Sequence, residues 1–100
     1  MFTPLASVDI EEAHRWYEAQ RVGLGDEFRA SLDVVWKLLI QFPEAGPVVH
    51  RDLRRVLLPR FPLAVYYRVT GESIEVRGCV HQHQNPSARR RRAQSLPRRG

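Results

Sequence analysis

Apolar positions in the first forty residues recur with a helical period. Ala6, Ile10, Ala13 and Tyr17 fall at steps of 4, 3 and 4 residues, one face of an α-helix. Trp16 flanks that stripe, while Glu11, Glu12, Arg15 and Glu18 point elsewhere. Thr3-Pro4 supplies one start, because threonine caps orphan amides and proline's fixed φ suits a first turn. Asp9 with Glu12 supplies a second start by capping-box logic. The stretch Arg21–Asp26, with Gly23 and Gly25, interrupts the period. A stronger stripe follows through Leu24, Phe28, Leu32, Val35, Leu39 and Phe42, with Arg29, Asp33, Lys37 and Gln41 on the solvent side. It must end at Phe42, since Pro43 cannot continue the ladder and Gly46-Pro47 repeats the stop. Two amphipathic helices with a short connection predict an antiparallel helical hairpin.

The period then changes from 3.6 to 2. Leu53–Leu58 reads as a strand blurred by adjacent arginines. Leu63–Val69 is rich in aromatic and β-branched residues and reads as the best strand. Thr70–Ser73 carries turn chemistry, and Ile74–His81 alternates again. Alternation puts Val65, Tyr67 and Val69 on one face, and Ile74, Val76, Gly78 and Val80 on one face of the next strand. Tyr66 and Tyr67 point to opposite faces, which leaves only one of them for the core. Pro59 and Pro62 mark the bend between the first two strands. The predicted order is helix, helix, strand, strand, strand.

The composition fits one domain: 100 residues, 43% hydrophobic and 27% charged. A chain of that length supports one modest core. The patterned part is read as residues 1–86, and the arginine-rich 87–100 as a flexible tail unable to offset its ordering entropy. A single cysteine, Cys79, excludes an internal disulfide and a Cys-based zinc site. No apolar run approaches bilayer length and no signal segment opens the chain, so a soluble cytoplasmic protein with no membrane association is expected. The formal net charge of +5 suggests a nucleic-acid partner until it is divided. Residues 1–45 sum to −4, residues 46–85 to +3 and residues 86–100 to +6. The tail supplies the whole excess, leaving an acidic hairpin and a basic strand region.

Candidate chemistry is sparse. His81-x-His83 is the sole local histidine pair, and a third ligand would have to come from His50 or Asp52 by folding; no metal site and no cofactor are expected. Glu11 and Glu12 point about 100° apart on a helix, which argues against a shared-proton dyad. His14 reads as a surface residue. Core packing outweighs a base-stacking role for Trp16 and Trp36. Arg54, Arg55, Arg60, Arg68 and Arg77 all fall in the strand region, where a shared sheet face would bind carboxylate or phosphate bidentately. The chain also uses fifteen arginines against one lysine, a bias that base composition alone produces. Arg89–Arg92 reads as a solvated run that adheres to polyanions.

Several ordered segments resemble the RelE/ParE family of bacterial toxins. They are Phe2–Ala6, Asp9–Ala13 with Trp16-Tyr17, Gly23–Phe28, Val49–Arg55, Arg60–Val69 and His81–Pro86. The resemblance implies an α+β fold, a helical hairpin packed on a small curved antiparallel sheet. Family members usually begin with several residues of strand, and only Met1-Phe2 precede the Thr-Pro motif here. The first strand is therefore expected to be short or missing, or the start to lie upstream of Met1.

The resemblance implies two mechanisms. RelE-type members cleave messenger RNA on the ribosome with basic strand residues and a C-terminal tyrosine. Arg55 matches the first basic position, but Leu57 and Ala64 occupy the next two and no tyrosine follows Tyr67. If the chain is a ribonuclease, the candidate catalytic residues are Arg54, Arg55, Arg68, Arg77 and His81. ParE-type members, which inhibit DNA gyrase, resemble the sequence better. The expected function is thus the toxin of a type II toxin–antitoxin pair, in a hetero-oligomer with a cognate antitoxin. Arg54, Arg55, Arg60, Arg68 and Arg77 are the expected antitoxin- or target-binding residues. An mRNA endoribonuclease and a non-toxic binding module are the alternatives.

Overall fold

The computed structural model describes residues 1–82. The proposed tail, His83 and most of the segment His81–Pro86 lie outside the described residues. The first helix, α1, spans Pro4–Gln20 and takes the earlier of its two starts. Thr3 is the cap, its Oγ1 accepting the Ala6 N–H at 3.2 Å, and Pro4 sits where no amide is needed. Asp9 lies inside the helix and is buried, its carboxylate accepting the Cys79 N–H of the sheet at 3.0 Å.

Gly23, at φ 91°, turns the chain into α2, Leu24–Gln41. The two helices close on each other at Gly25, where a Cβ would lie 2.8 Å from Glu18 Oε1 and from the His14 ring. Glu18 of α1 caps α2 from outside, accepting the N–H groups of Gly23 and Gly25 at 2.9 Å each. Those two bonds hold its carboxyl below the ordinary value of 4.5, with His14 and Arg21 adding to the shift. A depressed carboxyl stabilises the fold above its unfolded pKa, and that stability is lost as pH falls through the folded pKa. Glu18→Gln is therefore expected to lower Tm at pH 7. Its Tm should then fall less steeply than the wild type's between about pH 5 and pH 3; parallel thermal melts across that range check it.

Four antiparallel strands follow in the order β1-β2-β3-β4: Val48–His50, Leu53–Leu57, Leu63–Thr70 and Ser73–His81. One more strand is present than the alternation predicts, because three-residue β1 is too short to show a period. β3 and β4 join through a tight turn with Gly71 at φ 59°. The opening strand is reduced to one rung. Phe2 bridges Val76 in parallel, with Val76 N–H donating to Met1 O at 2.8 Å and Thr3 N–H to Val76 O at 3.0 Å.

Strand register corrects the predicted faces of β4. Tyr66 opposes Gly78 but Tyr67 opposes Val76, so Arg77 is an extra, bulged residue. The bulge inverts the alternation beyond it. Ile74 and Val76 face the helices together with Cys79, whereas Val80 joins the opposite face. The helix-side core contains Ala6, Ile10, Phe28, Val35, Leu39, Val65 and Tyr67. A smaller cluster of Leu53, Ala64, Tyr66 and Val80 lies on the other face, with Leu5 against it. Both tyrosines are thus buried, contrary to the single-core expectation. Phe42 of the second stripe and Trp16 beside the first also depart from prediction. Phe42 is 60% exposed because α2 ends at Gln41 and the next residue swings out at φ −132°. Trp16 is 60% exposed as well, its ring set edge-on to Tyr17 at 5.1 Å. No described helix is long and apolar enough to cross a membrane.

Candidate binding face

The helices cover one face of the sheet, and the other gathers part of the predicted arginine set. Arg55 of β2 opposes Tyr66 of β3, and Arg68 of β3 opposes Glu75 of β4. With bulged Arg77 beside Gly78, these side chains form a band across three strands. Arg68 Nη1 lies 3.4 Å from Asp52, in the turn before β2. Arg77 is 2% exposed and grips Glu75 Oε1 through Nε at 2.9 Å and Nη2 at 2.7 Å. Its Nη1 and the Tyr66 hydroxyl are both buried and have no hydrogen-bond partner among the described residues. Arg55 has no ion pair among the described residues. Two of the three arginines on this face therefore already hold a carboxylate, and the free positive charge is smaller than the sequence count suggests.

The remaining candidates go elsewhere. Arg54 opposes Tyr67 on the helix side, and its Nη1 donates to Gly46 O at 2.8 Å. There it holds the loop between α2 and β1, together with Tyr67, whose hydroxyl donates to Pro43 O at 2.7 Å and accepts from Gly46 N–H at 3.0 Å. Arg60 lies in the β2–β3 loop at φ 68°, 3.8 Å from Glu27 of α2. His81 opposes Leu63, five residues along β3 from Arg68, which places it about 16 Å from that end of the sheet. His50 and Asp52 belong to the Arg68 end, away from His81, and His83 lies outside the described residues; among the described residues no group of three or more potential ligands occurs. Glu11 pairs with Arg29 at 3.1 Å, and His14 Nε2 lies 3.7 Å from Asp26.

The two positions where RelE-type members were expected to carry basic residues share the outer face with Arg55. Leu57 is 46% exposed there and Ala64 is buried. Sequence reasoning missed Tyr66 and Glu75 as neighbours of the arginines. The signal was Gly78, an isolated glycine inside a strand, which marks a bulge and so places Arg77 beside Tyr66.

A second surface is apolar. Val34 and Leu38 are exposed one turn apart on α2, between Pro59–Phe61 at one end and Pro43–Ala45 at the other.

A family model for the ParE toxin of the type II toxin–antitoxin system parDE matches residues 1–86. No curated protein matches the sequence. Among solved structures, the chain is similar to the chromosomal ParDE toxin–antitoxin system from P. aeruginosa. That likeness has 24% identity and a TM-score of 0.61, and covers 80% of this chain and 90% of that one. It bears on the fold alone, two helices on an open antiparallel sheet. With the family model spanning the hairpin, the sheet and the arginine face, the chain belongs to the ParE toxin family of type II toxin–antitoxin systems.

Proposed function

We propose that this chain is the growth-inhibiting toxin of its pair. It acts in the cytoplasm by binding a target such as DNA gyrase, and a cognate antitoxin neutralises it in a hetero-oligomer. The observation that favours binding over RNA cleavage is the make-up of the outer sheet face. A nuclease needs a base and charge stabilisation in fixed geometry. Here Leu57 and Ala64 stand at two positions where RelE-type members were expected to be basic. The carboxylates beside the band, Asp52 and Glu75, are each held by an arginine.

Two surfaces suit an antitoxin. The arginine band of Arg55, Arg68 and Arg77 offers charge to an acidic segment, and the Val34–Leu38 strip offers an apolar seat to an amphipathic one. Arg54 and Arg60 contribute through the loops that they hold. The similar solved structure is of a toxin–antitoxin system, which supports a cognate partner here.

Induced cells are expected to show a DNA-damage response and altered plasmid supercoiling while their transcripts stay intact. Cleaved transcripts that disappear with Arg55→Ala would assign ribosome-dependent mRNA cleavage instead. Complex formation with neither effect would mark a binding module that retains the fold.

A further inference from the structure

We propose that residues 83–100 of this chain pack over the β3–β4 half of the outer sheet face. The observation behind it is burial without a described cover. Where one face of an antiparallel sheet meets water, buried and solvated positions alternate along each strand. β1 and β2 keep solvated positions. β3 and β4 do not: Leu63–Tyr67 and Val76–Val80 are each five consecutive buried residues, so both faces are shielded there.

The helices account for the inner face, where Val65, Tyr67, Val76 and Cys79 join the core. On the outer face Ala64 is 0% exposed, Tyr66 5%, Arg77 2% and Val80 6%. Among the described residues, Leu5 is the one further hydrophobic side chain packed against Leu53, Ala64, Tyr66 and Val80. A tyrosine on a strand stands roughly perpendicular to its sheet, which puts the hydroxyl furthest from the backbone. The Tyr66 hydroxyl is nevertheless buried. Arg55 and Arg68, its neighbours on this face, are only half-buried themselves. A second layer therefore reaches over the ring.

The continuation of the chain is placed to be that layer. The Gln82 N–H donates to Pro62 O at 2.8 Å, so the chain leaves the sheet beside the shielded strand pair. Eighteen residues follow, 83–100. His81 opposes Leu63, and Tyr66 lies three residues further along β3, about 10 Å away. Eighteen extended residues span up to about 60 Å, several times that distance. The composition of this segment denies it a core of its own, and the sheet supplies the missing partner. Pro86, Ala88, Ala93, Leu96 and Pro97 bring apolar atoms, while arginines lay their stems on the face and keep their heads in water. Tethering favours this occupant over a second molecule, because a short tether holds it at millimolar effective concentration. The β2 margin stays open, with Arg55 and Arg68 half-buried and Leu57 46% exposed. Any partner of this face is thereby confined to β2 and its neighbours.

The test uses the purified full chain alone. A nitroxide on Ser95→Cys reports where the segment lies, since Cys79 is buried and takes no label. Amide signals of Tyr66 and Gly78 should weaken most, and those of Val34 and Leu38 on α2 least. Weakening centred on Phe61 and Leu63 at the chain exit, with Tyr66 no more affected than Val34, overturns the cover. So does weakening of Tyr66 only by a label on another molecule in a mixed sample, which would make the layer a second copy. Acetylation by N-acetylimidazole, located by tandem mass spectrometry, supplies the second measurement. In a variant with 83–100 replaced by Gly and Ser at equal length, Tyr66 should react at least about tenfold faster than in the wild type. Tyr67, whose hydroxyl is bonded on the helix side, should stay slow in both and reports that the variant is folded. Equal Tyr66 rates with a slow Tyr67 contradict the proposal. If Tyr67 becomes reactive as well, the variant has lost its fold and the nitroxide measurement decides. Neither measurement involves an antitoxin or a target, so the cover and the proposed function fail separately.

Discussion

Gly46→Ala is expected to lower Tm by roughly 10–20 °C, corresponding to about 3 kcal/mol in a domain of this size. Gly46 is buried in the loop between α2 and β1, and a Cβ there would overlap the backbone carbonyl oxygen of Arg55. A backbone oxygen cannot swing aside as a side-chain tip can. The loop or β2 must shift, and either movement disturbs several bonds together. The Gly46 N–H donates to Tyr67 Oη, the Gly46 carbonyl accepts from Arg54, and the Arg55 N–H donates to Pro47 O at 3.1 Å. Releasing the first would leave the loop without its anchor on the core tyrosine, at a cost of about 1–3 kcal/mol for each buried group left unmatched. Gly23→Ala is the matching control. Nothing lies within 4 Å of its Cβ, so only the strain of φ 91° remains, about 1–2 kcal/mol. Thermal melts of the two variants against the wild type decide it, and equal Tm values for Gly46→Ala and the wild type would refute the close packing of Gly46 on β2.

Phe28→Ala is expected to cost about 3–5 kcal/mol, enough to leave much of the protein unfolded at 37 °C. Phe28 is 0% exposed and lies at the centre of an aromatic group, with Tyr17 at 5.7 Å and Phe61 at 5.9 Å. Tyr17 and Phe61 also meet each other, edge to face at 4.9 Å. The group joins α1, α2 and the β2–β3 loop, and Ser31 ties α2 to the same loop by donating to Pro59 O at 2.7 Å. Removing the ring opens a cavity that three separate elements would have to close. Trp16→Ala, by contrast, strips an exposed ring and should change stability by less than about 1 kcal/mol. Urea titrations of both variants provide the comparison, and equal losses would refute the assignment of Phe28 as the core anchor.

That contrast shows where periodicity stops being informative. The stripes through Ile10 and Tyr17, and through Phe28, Val35 and Leu39, recur every turn, so spacing alone marks them as buried faces. Phe42 continues the second stripe numerically, but the helix has already ended, and period alone does not register that. β3 was legible because aromatic and β-branched residues crowd it, whereas three-residue β1 holds too few positions to show a pattern. The inverted faces beyond Arg77 were hidden for a related reason. A bulge adds one residue without changing composition, and Gly78 is its sole local mark.

The candidate site was legible to a similar extent. The family's hairpin and sheet could be expected from ordered segments covering most of the chain. That five arginines lie in the strand region could be counted, but a count does not give direction. Parity separates Arg54 from Arg55, and the loop beside Arg54 then takes its guanidinium for carbonyl oxygens. Glu27, Asp52 and Glu75 approach Arg60, Arg68 and Arg77 only after folding, through contacts that a linear charge tally cannot contain. The free positive charge on that face is thus smaller than the +3 of the strand region implied.

The chain should arrest growth, and an antitoxin bound to the outer sheet face should relieve the arrest. Colony counts after induction test it most directly, with the wild type and the Arg55→Glu/Arg68→Glu double variant expressed with and without the adjacent frame's product. Wild-type counts should fall by orders of magnitude and recover on co-expression. The double variant, folded and full-length, should no longer form the complex. Undiminished counts in cells shown to contain full-length, folded wild-type protein would contradict it.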